Sequence, residues 1–147
     1  MPAEVPNTIH PSTIGWLRLA RIYSKIDHRT ADLMRQNGIS VSRFDVLNHA
    51  GTPEGRTQLE LANSLLVTKG NITQLLDAME QDGLLERRRE GRNKRVYLTP
   101  EGRCTRARLV ALQESEIAAD FAALDEEEMQ TLIRLLRKLD RSLKGPS

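Results

Sequence analysis

Asp82-Gly83 separates two kinds of hydrophobic period. Upstream, Ile72, Leu75, Leu76 and Met79 recur at i, i+3, i+4 and i+7, the spacing of a helix with one buried stripe. Downstream, "LLERRREGRNKRVYLT" reads as two extended arms, with Val96 and Leu98 on one face and Arg95 and Tyr97 on the other. No single element accommodates both periods. A helix has to stop at the glycine, which is free to take the left-handed conformation of a helix C-terminus. A hairpin then follows, and "EGRNK" supplies the Gly and Asn that its turn requires.

The rest of the pattern is helical. A first helix is expected over about Pro11 to Gln36, from the spacing of Ile14, Leu17, Ile22, Ile26, Leu33 and Met34, with Asn37-Gly38 as its stop. Ser40 caps a second, carrying Phe44, Val46 and Leu47 and ending at Gly51, and "TPEGR" makes a turn. Thr57 and Glu60 form a capping box for a third, whose apolar face is Leu59, Ala62 and Leu65. Thr68 caps the fourth. Thr99-Pro100-Glu101 opens a fifth that runs to about Phe121. Asp125 and Glu128 box the sixth, Leu124 staples onto Met129, and Met129, Leu132, Ile133, Leu135, Leu136 and Leu139 are its apolar positions. The expected fold is mainly α: six helices and a small β-hairpin wing in a single domain over residues 1–147.

Charge is unevenly spread. The formal net charge is only +2, yet six of the nine residues from Arg87 to Arg95 are basic. From Arg87 to Arg108 there are nine basic residues against Glu90 and Glu101, whereas Ala111 to Gln130 holds seven acids and no base. One positive surface on a soluble chain suits a polyanionic partner, although a charge run by itself is more often a solvated face. Other classes lack support. No apolar run reaches the ~18 residues of a membrane span, and the start has no basic region followed by an apolar stretch, so no secretory signal is expected. The lone Cys104 fits a reducing cytoplasm, and His10, His28 and His49 match no metal-ligand spacing. With no Ser-His-Asp set, paired carboxylates or phosphate-cradling glycine loop, neither an enzyme nor a cofactor is expected.

Helix, tight turn, helix and basic hairpin is the order of a winged helix-turn-helix, in which the second helix enters the major groove and the hairpin reaches neighbouring backbone or minor groove. Counting about 100° per residue from the buried stripe, the second helix exposes Gly70, Thr73, Gln74, Asp77 and Gln81. Gln and Thr can donate and accept at base edges, and Gly70 lets the backbone approach phosphate. Lys69 and Asn71 stand in the first turn beside the Thr68 cap, where free N–H groups favour an anion. The DNA-contacting set read from this helix is Thr68, Lys69, Gly70, Asn71, Thr73, Gln74 and Asp77. From the wing it is Arg87, Arg88, Arg89, Glu90, Arg92, Lys94 and Arg95. Arg103, Arg106 and Arg108 read as a solvated helix face.

"TQLELANSLLVTKGNITQLLDAMEQDGLLERRREGRNKRVYLTPEG", Thr57 to Gly102, resembles the MarR family of bacterial transcription regulators. The match is ungapped through the helix-turn-helix, the Gly-Leu-Leu-Glu-Arg start of the wing and the closing Leu-Thr-Pro-Glu-Gly. Glu90-Gly91-Arg92 stands where that family usually has Asp-x-Arg, and Leu66 replaces the small turn residue common in helix-turn-helix proteins. The resemblance implies that Arg92 is a minor-groove arginine and Glu90 the acid that orients it. It also implies a homodimer held by the first helix and the last two, about residues 11–36 and 100–143, with a DNA-binding lobe at about 40–99.

The last helix is more apolar than one packed face needs, which agrees with a dimer. Ile14, Leu17, Leu132, Ile133, Leu136 and Leu139 are its candidate interface residues, and an intramolecular core is the plain alternative for any one of them. Trp16, Tyr23 and His28 are candidates for a pocket holding a small aromatic or anionic effector, with ordinary core as the alternative. The partners expected are double-stranded DNA, a second copy of the chain and such an effector, in the cytoplasm and with no membrane. The reading is a repressor that binds a pseudo-palindromic operator. Two other uses of the fold stay open: an architectural, weakly specific DNA-binding protein, and a winged helix serving as a protein-interaction module.

Overall fold

The computed structural model describes residues 8–65 and 69–143; the Lys69 side chain also lies outside the description. The chain divides into two compact units between Gln113 and Glu114.

The first unit begins with α1 (Pro11–Gln36), whose proline occupies the first turn while the His10 ring accepts the Ser12 N–H at 3.2 Å. α1 ends as its Asn37-Gly38 signal predicts. Gly38 takes φ 75°, its N–H reaches Arg35 O at 3.0 Å, and Ile39 N–H reaches Met34 O at 3.0 Å. This bond pair closes the helix end, and the Ile39 and Met34 side chains are both buried. Ser40 then caps α2 (Val41–His49), accepting the Arg43 N–H at 3.2 Å. The helix-turn-helix follows as α3 (Gln58–Ser64) and α4 (Lys69–Gln81). Thr68, expected to cap α4 and contact DNA, and Leu66 of the turn lie outside the described residues.

α3 differs in detail from its sequence pattern. Thr57 Oγ1 accepts the Glu60 N–H at 3.1 Å, but the Glu60 carboxylate lies 3.7 Å from Arg56, so only one arm of the expected capping box forms. The buried face is Leu61 and Ala62, with Leu65 partly covered, while Leu59 is 47% exposed. On so short a helix, a phase error of two positions is enough to swap Leu59 for Leu61. α4 follows its stripe: Ile72, Leu76 and Met79 are buried and Leu75 packs beside them.

The wing consists of β2 (Leu85–Glu90) and β3 (Asn93–Leu98), joined by a tight turn at Gly91-Arg92 rather than by a five-residue "EGRNK" loop. Extending the pairing to Glu90↔Asn93 lets the ladder satisfy backbone groups that a longer loop would leave to water. A strand absent from the sequence reading, β1 (Arg56–Thr57), adds to β3, giving an antiparallel sheet in the order β1-β3-β2. Two residues are too few to carry a period-2 signal. Alternation puts Leu85, Arg87, Arg89, Lys94, Val96 and Leu98 on one face of the hairpin and Glu86, Arg88, Glu90, Asn93, Arg95 and Tyr97 on the other. Leu85, Val96 and Leu98 close over the core formed by Phe44, Leu47, Leu61, Ile72, Leu76 and Met79.

Thr99 caps α5 (Pro100–Asp120), accepting the Gly102 N–H at 3.0 Å, and Leu109 of α5 completes the core of the first unit. The second unit contains the end of α5 and α6 (Glu126–Ser142). Both arms of the Asp125–Glu128 capping box are made, at 2.8 and 3.1 Å. No residue of α6 is buried, and Leu135, Leu136 and Leu139 are between 39% and 49% exposed.

One titrating group tests this packing. Burial raises the carboxyl of half-buried Asp45 on α2; His49 opposes the shift and Asp27 adds to it. A carboxyl raised in the folded state stabilises fully below the ordinary carboxylate range, and that contribution is lost as pH rises through the raised value. Asp45→Asn should therefore raise the urea midpoint near neutral pH, with the gain shrinking on acidification toward the ordinary range. A gain that did not vary with pH would show that burial of this charge costs nothing.

Candidate nucleic-acid interface

The basic run is three structures rather than one patch. Arg87 is the anchor. Its side chain is 11% exposed and lies against α4: Nε donates to Glu80 Oε2 at 3.0 Å, Nη2 to the same oxygen at 2.7 Å, and Nη2 also to Asp77 Oδ1. Nη1 reaches Gln58 Oε1 of α3 at 3.4 Å, and the Arg87 backbone N–H donates to Glu80 Oε1 at 3.3 Å. Burial pulls the guanidinium pKa down, but Glu80 and Asp77 outweigh that and leave it raised, so the group stays charged. Arg87 was expected among the wing contacts to DNA. Its place on the inner face of the hairpin turns it toward two acids of α4, and it also lines the groove between α3, α4 and the wing tip.

Arg88 and Arg95 make up the outer face. Arg88 donates to Glu86 at 2.6 and 3.1 Å and lies over the Tyr97 ring, 4.5 Å from its centroid. Arg95 donates to Glu90 Oε2 at 2.5 Å and to the Glu54 carbonyl at 3.3 Å. The hydrogen bond from Arg95 holds Glu90 below the usual carboxylate range and raises Arg95 in turn. Glu90, expected to orient Arg92, is bonded to Arg95 in this structure. Glu90 and Arg95 share the outer face, whereas Arg92 sits in the turn, and the Glu90 bond goes to its neighbour on the sheet.

Arg89, Arg92 and Lys94 remain. All three are exposed and, among the described residues, have no ion-pair partner. Arg89 stands opposite Lys94 in the ladder, a like-charge juxtaposition that disfavours the hairpin. A wing that keeps such a pair unneutralised is suited to an external anion.

On α4, Gly70, Asn71, Thr73, Gln74, Asp77 and Gln81 are exposed. A Cβ built at Gly70 would meet nothing within 4 Å, so its backbone is open to close approach. Gln58 Nε2 donates to Thr73 Oγ1 at 3.3 Å. Between α3, α4 and the wing tip lies a groove of about 540 Å³, lined by Gln58, Leu59, Thr73, Asp77, Arg87, Arg92, Asn93 and Lys94 among others. Gln58, Glu80 and Asn93 were missing from the site residues read from the sequence, Asn93 having been read only as a turn residue. Glu80 had a faint signal, as an acid one position beyond buried Met79, at the margin of the stripe; Gln58 and Asn93 had none.

Other candidates lie elsewhere. On α5, Arg103 Nη1 donates to Leu98 O at 2.9 Å and Arg108 Nη1 to Asn37 Oδ1 at 3.3 Å, so both tie the first part of α5 into the first unit, and Cys104 is exposed. Trp16, Tyr23 and His28 stand exposed on α1, with His28 Nδ1 bonded to Ser24 O at 2.8 Å. Ile14 and Leu17 are also about half exposed. Among the described residues no helix is long and apolar enough to cross a membrane, and no group of three or more His, Cys, Asp or Glu could hold a metal ion.

Comparison with known proteins agrees with this geometry. A model of the MarR family matches residues 37–96. An HTH-type transcriptional regulator of Bacillus cereus is 30% identical over 134 residues, covering 88% of this chain and 91% of the relative. The HTH-type transcriptional repressor YetL of Bacillus subtilis is 29% identical over 134 residues, covering 84% of this chain and 77% of the relative. Among solved structures, CouR from Rhodococcus jostii bound to p-coumaroyl-CoA is similar with a TM-score of 0.72 at 26% identity, over 91% of this chain and 93% of that one.

The three-way division of the basic run separates two substitutions. Arg92→Ala should leave thermal stability unchanged and lower the slope of log affinity for duplex DNA against log salt by about one unit. Arg87→Ala should leave Glu80 and Asp77 without their partner and cost about 1–3 kcal/mol in a denaturant titration, the lower half applying because both acids are well exposed. Reversed outcomes would exchange the roles of the two arginines.

Proposed function

This chain belongs to the MarR family of HTH-type transcriptional regulators, and on that premise we propose that it is a ligand-responsive repressor that binds a pseudo-palindromic operator as a homodimer in the cytoplasm. The observation that carries the reading is the pairing of Thr73 and Asp77 on the exposed polar face of α4 with unneutralised Arg92 and Lys94 across one groove, with Arg89 opposite Lys94 in the wing. Residues 40–99 act as the DNA-binding lobe. Thr73, Gln74 and Asp77 meet base edges, while Thr68, Lys69, Gly70 and Asn71 meet phosphate at the helix start. Arg92 enters the minor groove, where a narrow, strongly negative slot favours a guanidinium. Arg88, Glu90 and Arg95 shape the outer face of the wing.

Residues 11–36 and 100–143 join two copies. Ile14, Leu17, Leu132, Ile133, Leu136 and Leu139 are apolar and at least partly exposed in one chain, as an interface awaiting its partner requires. The repressor reading takes support from YetL, named as a repressor. The effector reading takes support from CouR, which is bound to p-coumaroyl-CoA, an aromatic and anionic molecule. A ligand of that general kind, held near Trp16, Tyr23 and His28, would act by favouring one spacing of the two recognition helices, since half-sites repeat about 34 Å apart.

Two measurements test this. Gln74→Ala should cost roughly 1–3 kcal/mol on the operator selected by the wild type and less on random duplex, because a base contact carries sequence information. Equal losses on both DNAs would remove Gln74 from base reading. A chain ending after Leu124 should sediment as a monomer and bind the operator far more weakly, since a lone lobe lacks the effective concentration of a linked pair. A folded monomer with full operator affinity would overturn the dimer reading.

A further inference from the structure

Asp77 is an acid on a surface that faces a polyanion. A carboxylate there repels phosphate, and Arg87 does not cancel it, because Asp77, Glu80 and Arg87 together still carry one net negative charge. The Asp77 side chain is 54% exposed, so it is not part of the core. Its geometry is nevertheless held. Arg87 Nη2 donates to Oδ1, and Arg87 itself cannot swing, because Glu80 fixes it from Nε and Nη2 while Gln58 meets Nη1. Among the described residues, Oδ2 accepts no hydrogen bond. One carboxylate oxygen is therefore tethered and the other is presented, on the same helix face as Thr73 and Gln74 and at the rim of the groove.

We propose that Asp77 is a specificity-determining residue that accepts a hydrogen bond from the exocyclic amine of cytosine in the major groove, and that Arg87 is its positioning residue. The inference rests on the operator-binding reading above and adds the base that this position selects. Cytosine N4 offers a donor alone at that edge. Adenine places the N7 acceptor beside its amine, and guanine and thymine present the acceptors O6 and O4. A fixed carboxylate is thus attracted by one base and repelled by the others, so the acid discriminates by rejection as well as by contact. The same charge weakens binding to DNA in general, a cost that the reading of a base offsets.

The test is selection of bound sequences from random duplexes, performed with the full chain as wild type, Asp77→Asn, Asp77→Ala and Arg87→Lys. The wild type should enrich cytosine at one position of each half-site. Asp77→Ala should lose that preference by roughly 10-fold at that position alone, while its affinity for random duplex at low salt rises. Asp77→Asn is isosteric, keeps an oxygen for Arg87, and is the deciding variant if Asp77→Ala unfolds; it should shift the preference toward adenine, whose N6 and N7 match an amide. Arg87→Lys keeps the charge but loses the planar fork, and should blur the same position with the other preferences intact. If both Asp77 variants select the wild-type sequences, Asp77 merely holds Arg87 and the proposal is overturned. A wild type that enriches no sequence would overturn the operator reading itself, a result distinct from unchanged preferences among variants.

Discussion

At Gly83-Leu84 the end of α4, the start of the wing and the start of α5 meet within a few bonds. Gly83 takes φ 77°, and the N–H groups of Gly83 and Leu84 close α4 on the carbonyls of Glu80 and Met79, each at 3.0 Å. The Leu84 carbonyl accepts the Thr99 N–H at 3.1 Å, and Thr99 Oγ1 donates to the Gly83 carbonyl at 2.5 Å. Any side chain at Gly102 would collide with the same Leu84 carbonyl, because a Cβ there would lie 1.9 Å from it. Helix end, hairpin base and helix start are thus fixed together by backbone groups, leaving little freedom in the angle between wing and α4. The groove exists because that angle is fixed.

Arg87 repeats the constraint one step farther out, through side chains. Most exposed ion pairs contribute little, since water screens them and two long side chains must be ordered. Arg87 differs in being mostly covered and in meeting Glu80 through two of its nitrogens and through its own backbone N–H. A single arginine therefore sets the distance between α4 and β2 and leaves the neighbouring cations to other work. The division follows from the pleat. Residues of one face point to α4, those of the other find Glu86, Glu90 and Tyr97, and only those at and beside the turn are left without an acid.

The apolar surfaces obey a different logic. The first unit closes its own core, from Met34 and Phe44 through Met79 and Val96 to Leu109. The second unit closes none: α6 has a complete capping box and a run of large apolar residues, yet buries no residue within one chain. Caps and local propensity are enough to form such a helix, but they give its leucines nothing to pack against. Exposed apolar area of this kind is what the proposed dimer would cover.

Much of this was legible in the residues. Helix ends were read correctly at Asn37-Gly38, Ser40, Asp82-Gly83, Thr99-Pro100 and Asp125, because caps and left-handed glycines act within four or five residues and leave a local trace. The wing and the exposed face of α4 were legible for a similar reason, since period 2 and period 3.6 are written directly along the chain. The resemblance to the MarR family, and with it the winged fold, was also available from Thr57 to Gly102 alone. What the residues left undecided were pairings between positions far apart. Strand β1 formed only because β3 was there to receive it, Leu61 rather than Leu59 turned inward only against a finished core, and Glu90 chose Arg95 over Arg92 by sheet register. Above all, six like cations in nine residues look equivalent in a string. The tertiary structure made them unequal, because the acids that neutralise them are placed by α4 and by the opposite face of the sheet, and charge acts through space rather than along the chain.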